Sequence, residues 1–184
     1  ITLKSKGVST LSGKSIWFDT DVNRLNDSGS GLYLGEFQMD DLVLVICKDG
    51  TYYTTSYDLS NRYQGDIESI GKFDGGKVFT VVYFDTAAKK HYIKRFCFEP
   101  TAGGIPVPFV PAEALSSYVA ICDDEFPQLR ISFKGKNKDR AAEVLDVEEE
   151  VEQKSVRARG RRLSSYDVGQ VEFMEPLVKE SREE

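Results

Sequence analysis

Val43–Cys47 reads Val-Leu-Val-Ile-Cys, and similar apolar runs return as Thr-Val-Val-Tyr-Phe at 80–84 and Tyr-Val-Ala-Ile-Cys at 118–122. A polar turn and a second apolar stretch follow each run. Short apolar runs bounded by turns are typical of β-strands, and a recurring run indicates a repeat whose units cannot bury their apolar faces alone. We therefore expect an all-β domain built from repeated blades.

The repeat is most regular at Val45, Val82 and Val119, which follow one another at a constant interval of 37 residues. We expect these three side chains to be buried at equivalent positions of three blades. A fourth, partial blade is expected at the N-terminus, where Lys-Ser-Ile-Trp-Phe at 14–18 forms a short strand.

Each apolar run is predicted to form a hairpin with the strand after it. The first turn, Lys48-Asp49-Gly50, is the clearest because Asp-Gly favours tight hairpin turns. Residues 141–153 fit either a helix or a strand with an acidic edge, and we favour the strand because every neighbouring segment is β-like. The predicted return strands are 51–57, 92–98 and 129–133.

The composition indicates one domain with a charged tail. The chain has 184 residues, a net charge of −6 and 40% hydrophobic residues. We divide it into a β domain at 1–170 and an acidic tail at 171–184. The apolar runs are too short to span a membrane, and the three cysteines fit buried free thiols of a reducing compartment. Because the chain starts at Ile1, we expect it to be part of a longer protein.

No catalytic motif stands out. The sequence lacks a Gly-x-Ser-x-Gly turn, a phosphate-binding glycine-rich loop and a His-Glu-x-x-His helix. The only histidine, His91, follows two lysines and is interpreted as a solvated turn residue. We therefore predict a non-enzymatic chain with no metal site and no cofactor of its own.

Basic residues cluster although the net charge is negative. If blades repeat, equivalent loops recur around one rim, and the clusters would form a discontinuous basic track that contacts DNA phosphates without reading bases. The alternative is that these charges merely balance the 30 acidic residues on an ordinary surface. The candidate DNA-binding residues are Lys4, Lys6 and Lys14; Lys89, Lys90, Lys94 and Arg95; Arg130, Lys134, Lys136 and Lys138; and Lys154, Arg157, Arg159, Arg161 and Arg162.

Several stretches together resemble the C-terminal region of the A subunit, the DNA-cleaving subunit, of bacterial type IIA topoisomerases, the family of DNA gyrase and topoisomerase IV. The likeness is greatest to the topoisomerase IV group in Bacteroides-like bacteria. It covers about residues 4–176 and is strongest at 34–99 and 154–167. The stretches that carry it are Lys-Gly-Val-Ser-Thr-Leu-Ser-Gly (6–13), Ile-Trp-Phe-Asp (16–19), Leu-Gly-Glu-Phe (34–37), Leu-Val-Leu-Val-Ile-Cys-Lys-Asp-Gly-Thr-Tyr-Tyr-Thr-Thr (42–55) and Ile-Lys-Arg-Phe-Cys-Phe-Glu (93–99).

This resemblance implies a β-pinwheel, a propeller-like array of four-stranded blades that exchange strands, here with three clear blades and a partial one. In the family, the domain follows the DNA breakage-reunion core and binds duplex DNA along its basic perimeter. The implied partners are double-stranded DNA, the rest of the A (DNA-cleaving) subunit and the B (ATPase) subunit, in the cytoplasm at the nucleoid. ATP and Mg²⁺ would be needed only by the full enzyme, an ATP-hydrolysing type II topoisomerase, and this fragment would not cleave DNA.

The chain departs from the gyrase pattern within that family. Gyrases carry the basic heptapeptide Gln-Arg-Arg-Gly-Gly-Lys-Gly, which is needed for DNA wrapping, and the nearest stretch here is Arg-Ala-Arg-Gly-Arg-Arg at 157–162. This favours the topoisomerase IV interpretation. The alternative function is a propeller-like protein-interaction module that binds through its acidic edge; DNA affinity that falls steeply with salt would distinguish the two.

Overall fold

The computed structural model describes residues 13–111 and 118–180. This part of the chain is almost entirely β, with 46% of its residues in strands that form several small antiparallel sheets, and the predicted fold class is confirmed. The described residues divide into two compact units. Unit 1 comprises 13–73 and 100–107, and unit 2 comprises 74–99, 108–111 and 118–180.

One three-stranded arrangement recurs four times. Two strands form a hairpin, and the third returns to pair with the first on its other edge, so the first strand lies in the middle. Unit 1 contains two copies: β1 (Lys14–Asp19), β2 (Arg24–Asn26) and β3 (Leu32–Phe37), then β4 (Val43–Cys47), β5 (Thr51–Thr55) and β6 (Ile67–Lys72).

Unit 2 contains the other two copies. Both have the same order, with the hairpin partner on one side of the middle strand and the returning strand on the other. The strands are β7 (Val78–Asp85), β8 (Lys90–Cys97) and β10 (Tyr118–Cys122), then β11 (Gln128–Phe133), β12 (Glu143–Asp146) and β15 (Val168–Met174).

Short strands from one repeat extend the sheet of the preceding repeat. Strand β9 (Val107–Pro108) lies in the connection between β8 and β10 and pairs with β5. Strands β13 (Gln153–Lys154) and β14 (Arg161–Arg162) lie in the connection between β12 and β15, and both pair with β8. This exchange of strands is consistent with the expected pinwheel-like architecture.

The first two predicted hairpins form, but the third does not. Val45 lies opposite Tyr53 in the β4–β5 hairpin, and Val82 lies opposite Ile93 in the β7–β8 hairpin. By contrast, β10 pairs with β7, and β11 pairs with β12 and β15. The apolar run at 118–122 is therefore the returning strand of the third repeat, and β11 is the middle strand of the fourth.

The predicted equivalence of the three valines is accordingly wrong at the third position. Val45 and Val82 are fully buried, whereas Val119 is 46% exposed. Strand β10 lies at a sheet edge, and its register with β7 shifts between Tyr118 and Ala120. Val119 lies in this irregularity, so it has no cross-strand partner in the core.

Each unit has its own apolar core. The core of unit 1 is formed by strands of both of its repeats together with Tyr63 from the β5–β6 connection: Ile16, Phe18, Leu25, Phe37, Val43, Val45, Cys47, Tyr53 and Tyr63. The core of unit 2 includes residues from β7, β8, β11, β15 and the 147–163 connection: Val82, Ile93, Leu129, Ile131, Phe133, Val147, Val151, Leu163 and Val168.

Residues 141–153 combine the two predicted alternatives. Strand β12 ends at Asp146, and a single helical turn follows at Val147–Glu150. The Asp146 carboxylate caps this turn by accepting a hydrogen bond from the Glu149 amide at 3.4 Å. The chain turns here because buried Val147 and Val151 both pack into the core of unit 2.

The packed chain continues past the expected domain boundary at residue 170. Strand β15 runs through to Met174, with Val171 and Phe173 packed against the core of unit 2. The Lys179 ammonium also forms ion pairs with Asp146 at 2.8 Å and Glu148 at 3.0 Å. The first part of the segment interpreted as a tail therefore belongs to unit 2.

Candidate nucleic-acid interface

The arginine segment, residues 156–162, lies along the edge of β8. Strand β14 pairs antiparallel with β8, and the Leu163 amide donates a hydrogen bond to the His91 carbonyl at 2.9 Å. Leu163 is buried in the core of unit 2, while Arg161 and Arg162 are exposed. Leucine packing and backbone pairing thus fix the segment and leave both arginine side chains in solvent.

A basic cleft of about 360 Å³ adjoins this segment. Its three lysines come from the β7–β8 turn, the first position of β8 and the residue after β11, and Ser164, two residues beyond β14, also lines it. Phe84 and Tyr166 contribute aromatic surface to the lining, and Asp167 contributes one carboxylate. The lining lysines are Lys89, Lys90 and Lys134.

Most candidate cations of unit 2 are exposed and lack an ion pair with any described residue. Lys90 is an exception, because its ammonium lies 3.7 Å from the Asp167 carboxylate. Arg159 is a second, since it forms an ion pair with Asp85 and stacks 4.9 Å from the centre of the Tyr92 ring. The exposed cations without an ion-pair partner among the described residues are Lys89, Arg130, Lys134, Lys136, Lys138, Lys154, Arg157, Arg161 and Arg162.

Lys94 does not fit the expected role in contacting phosphates. Its side chain is only 3% exposed, and its ammonium donates hydrogen bonds to the carbonyls of Val156 at 2.7 Å and Ala158 at 3.1 Å. Burial lowers the pKa of Lys94 to about 8. Lys94 therefore binds the backbone of the arginine segment from inside the protein.

The Arg95 side chain also makes its hydrogen bonds within the protein. Its guanidinium donates to the carbonyls of Val151 at 3.0 Å and Glu148 at 3.4 Å, and burial lowers its pKa. It lines a second cleft in which acidic side chains predominate, among them Asp74, Asp123 and Glu125. Arg95 thus lies in acidic surroundings, apart from the lysines of the basic cleft.

The remaining candidates lie elsewhere. Lys14 belongs to unit 1 and forms an ion pair with Asp27 at 3.3 Å, while Lys4 and Lys6 lie outside the described residues. The acidic run after β12 does not pair with the arginine segment among the described residues. Asp146 and Glu148 instead bind Lys179.

Several residues of the site were missed or misjudged from the sequence. His91 lies in β8, half-buried and 5.0 Å from the Phe84 ring, so the interpretation as a solvated turn residue is wrong. Burial lowers its pKa, with a smaller contribution from the Lys134 charge. Tyr83 and Asp85, which contact Arg159, carried no signal in the sequence, because their partner lies more than 70 residues away along the chain.

The described residues contain no cluster of histidine, cysteine or acidic side chains that could bind a metal ion. In the same part of the chain, no helix is long and apolar enough to cross a membrane. The cysteines are free; Cys47 is buried and the other two are partly buried.

Comparison with known proteins identifies the family of the chain. No curated protein and no solved structure is significantly similar to it. The family model of the topoisomerase C-terminal domain of Bacteroidota, however, matches residues 24–175, which include most of the strands of both units and the arginine segment. The match confirms the resemblance found in the sequence, and the chain belongs to this family of topoisomerase C-terminal domains.

Proposed function

We propose that this chain is the non-catalytic DNA-binding domain of the DNA-cleaving subunit of a type IIA topoisomerase, binding duplex DNA without sequence preference through unit 2. It would thereby assist the ATP-dependent change of DNA topology by the full enzyme. Its partners would be the rest of its own subunit, the ATPase subunit and DNA at the nucleoid. ATP and Mg²⁺ would be required by the full enzyme and not by this domain.

The observation that supports the proposal is the set of exposed cations in unit 2 that have no ion-pair partner among the described residues. An exposed cation that already has a carboxylate partner gains little from a phosphate, whereas a free one releases a counterion from DNA. Arg161, Arg162 and the basic cleft are adjacent through β14 and Ser164. Guanidinium and ammonium groups on neighbouring backbone suit phosphates spaced along one strand.

The net charge limits the affinity. At −6 the chain as a whole repels DNA, and we expect the attraction to come from the local surface of unit 2. We expect a Kd in the micromolar range or weaker near physiological salt, as for non-specific binding in general, on the order of 10⁻⁶–10⁻⁴ M. Base contacts are not needed for this role, so we expect similar affinities for unrelated sequences.

The test is a titration of a fluorescent duplex at several salt concentrations. The triple variant Arg157→Gln, Arg161→Gln and Arg162→Gln removes three unpaired charges. If each contacts a phosphate, the slope of log K against log salt becomes shallower by about 3, since each contact contributes roughly 0.9. Affinity at low salt should fall at least tenfold.

The matched control removes three paired charges from unit 1: Lys14→Gln, Lys48→Gln and Lys72→Gln. Each of these lysines lies within 3.6 Å of an aspartate. The control should change affinity far less than the arginine variant, although both lose the same formal charge. Equal losses would contradict a site on unit 2, and absence of binding by the unmodified chain would favour the protein-interaction module instead.

A further inference from the structure

The buried Lys94 ammonium is the least expected ionic group of unit 2. Lysine is almost never fully buried unless it is paired, yet no carboxylate pairs with Lys94 among the described residues. Its Nζ contacts two carbonyls of the arginine segment and lies 4.8 Å from the centre of the Phe96 ring. Two hydrogen bonds and one aromatic face therefore surround the three N–H donors.

The carbonyls that Lys94 binds need a donor. Residues 155–160 lie between β13 and β14, outside either strand, so the Val156 and Ala158 carbonyls have no place in a strand ladder. A buried carbonyl without a partner is costly. Lys94 extends from β8 and its ammonium reaches the Val156 and Ala158 carbonyl oxygens. These hydrogen bonds hold the two carbonyls turned toward the protein interior.

Two further side chains contact the same segment at the next residue. The Tyr83 hydroxyl donates a hydrogen bond to the Arg159 carbonyl, and the Asp85 carboxylate binds the Arg159 guanidinium. Asp85 is itself fixed by the amides of Ala87 and Ala88, at 2.9 and 3.0 Å. The strands β7 and β8 thus bind three carbonyls and one side chain of the arginine segment.

Gly160 permits this close approach. Its backbone has φ +83°, and a Cβ atom placed on it would lie 2.3 Å from the Ile93 carbonyl oxygen. The segment is therefore pressed against β8 directly before Arg161 and Arg162. With the carbonyls turned inward, the unpaired arginine side chains project outward.

We infer that Lys94 is a positioning residue for DNA binding: together with Tyr83 and Asp85, it fixes the arginine segment in the conformation that presents Arg157, Arg161 and Arg162 to a phosphate backbone. Lys94 itself does not touch the nucleic acid. The inference rests on the proposed function, and it identifies what sets the geometry of that site.

The first measurement does not depend on DNA. Lys94→Met keeps the apolar stem and removes all three donors. We expect trypsin to cleave after Arg157 and Arg159 at least tenfold faster in this variant than in the unmodified chain, under conditions in which circular dichroism shows both to be folded. Unchanged cleavage would overturn the inference, whatever the outcome of DNA titrations.

The second measurement separates positioning from a general loss of stability. Lys94→Met should weaken binding of the fluorescent duplex about tenfold and make its salt dependence shallower. In the background of the triple arginine variant, the same substitution should have almost no further effect, because Lys94 acts through those arginines. Equal losses in both backgrounds would contradict the inference.

Tyr83→Phe serves if the lysine variant does not fold. It removes a single hydroxyl, and we expect a smaller effect of the same kind: two- to fivefold faster cleavage and a similar loss of affinity that disappears in the triple arginine background. No change in either measurement would overturn the inference. If the unmodified chain does not bind the duplex but the cleavage rates rise as expected, the proposed function fails and the fixing of the segment stands.

Discussion

Units 1 and 2 share one strand arrangement but differ in how their cations are used. In unit 1, three of the five described cations, Lys14, Lys48 and Lys72, each form an ion pair with an aspartate, and Arg24 and Arg62 form none with the described residues. In unit 2, most of the cations around β8, β11 and β14 have no such partner among the described residues. The shared arrangement follows from core packing, which leaves the exposed positions free to differ. Equivalent backbone therefore does not imply an equivalent surface.

The strongest test of the shared arrangement lies in the cores. Val45→Asp in unit 1 and Val82→Asp in unit 2 each place an unpaired charge at a fully buried position. We expect each to lower the free energy of unfolding by several kcal/mol, on the order of 4, measured by urea denaturation. Val119→Asp is the matched control, because this valine is 46% exposed, and its cost should stay below about 1 kcal/mol.

A cost at Val119 as large as that at Val82 would mean that β10 has a buried middle position after all. The simple 37-residue repeat would then be correct, and the arrangement of four repeats with β11 as the last middle strand would be wrong.

Substitutions of one glycine in each unit should have effects of intermediate size on stability, and they test whether only unit 2 binds DNA. Gly31 and Gly160 both have positive φ, and a Cβ atom on either would lie 2.2 or 2.3 Å from a carbonyl oxygen of the neighbouring strand. We expect Gly31→Ala and Gly160→Ala each to cost about 2–4 kcal/mol in thermal or urea unfolding, since left-handed strain alone costs about 1–2 kcal/mol.

The control is Gly29→Ala, which has φ +90° but open space around the added carbon, so only the strain of about 1–2 kcal/mol remains. DNA affinity distinguishes the two costly variants. Gly160→Ala should weaken binding and Gly31→Ala should not, because only Gly160 lies in the arginine segment. Equal affinities would show that the conformation of that segment does not matter.

The smallest expected effects concern the dependence of stability on pH in acid. In unit 1, a hydrogen bond from the Gln38 amide lowers the pKa of Asp41, and Lys72 lowers it further. In unit 2, hydrogen bonds from the Ala88 and Ala87 amides lower the pKa of Asp85, and Arg159 lowers it further. A carboxyl whose pKa is lower in the folded state stabilises the fold above its unfolded pKa, and this stabilisation is lost as pH falls through the folded value.

Asp41→Asn and Asp85→Asn should therefore both unfold with a shallower dependence on pH below about pH 4, the ordinary range of an aspartate, when urea midpoints are compared between pH 7 and pH 3. Only the Asp85 variant should also release Arg159 to trypsin. An unchanged pH dependence in both variants would mean that these carboxylates are no better stabilised than in the unfolded chain.

Local patterns predicted those parts of the fold that depend on adjacent residues. The Asp-Gly turn at 49–50 specified the β4–β5 hairpin, and the apolar run around Val82 specified β7. The prediction of the third hairpin was wrong because period-two alternation indicates that a segment is a strand but does not indicate which strand it pairs with. Strand β10 pairs with β7, although β8 and a long connection lie between them in the sequence. The spacing of apolar residues does not reveal a pairing between such distant segments.

The site shows the same limit. Clustering in the sequence placed Lys89 and Lys90 in one group and Lys134 in another, and the structure brings all three to one cleft. It also included Lys94, although a signal against this was present: Lys94 and Phe96 lie on the same face of a strand, and Phe96 is fully buried. The ion pairs that separate occupied from free cations depend on tertiary contacts, and a sequence alone does not reveal them.

The strands exchanged between repeats bear on the order in which the chain is made. The edge of β5 is paired only once residues 107–108 have been synthesised, and that of β8 only with 153–154 and 161–162. During translation, the β4–β5 and β7–β8 hairpins therefore leave the ribosome with an open edge, the kind of surface that pairs with foreign strands. A chain that stalls before residue 153 would expose the edge of β8. We therefore expect a pause in synthesis at this point to cause aggregation through the open edge of β8, without any substitution in the part of the chain already made.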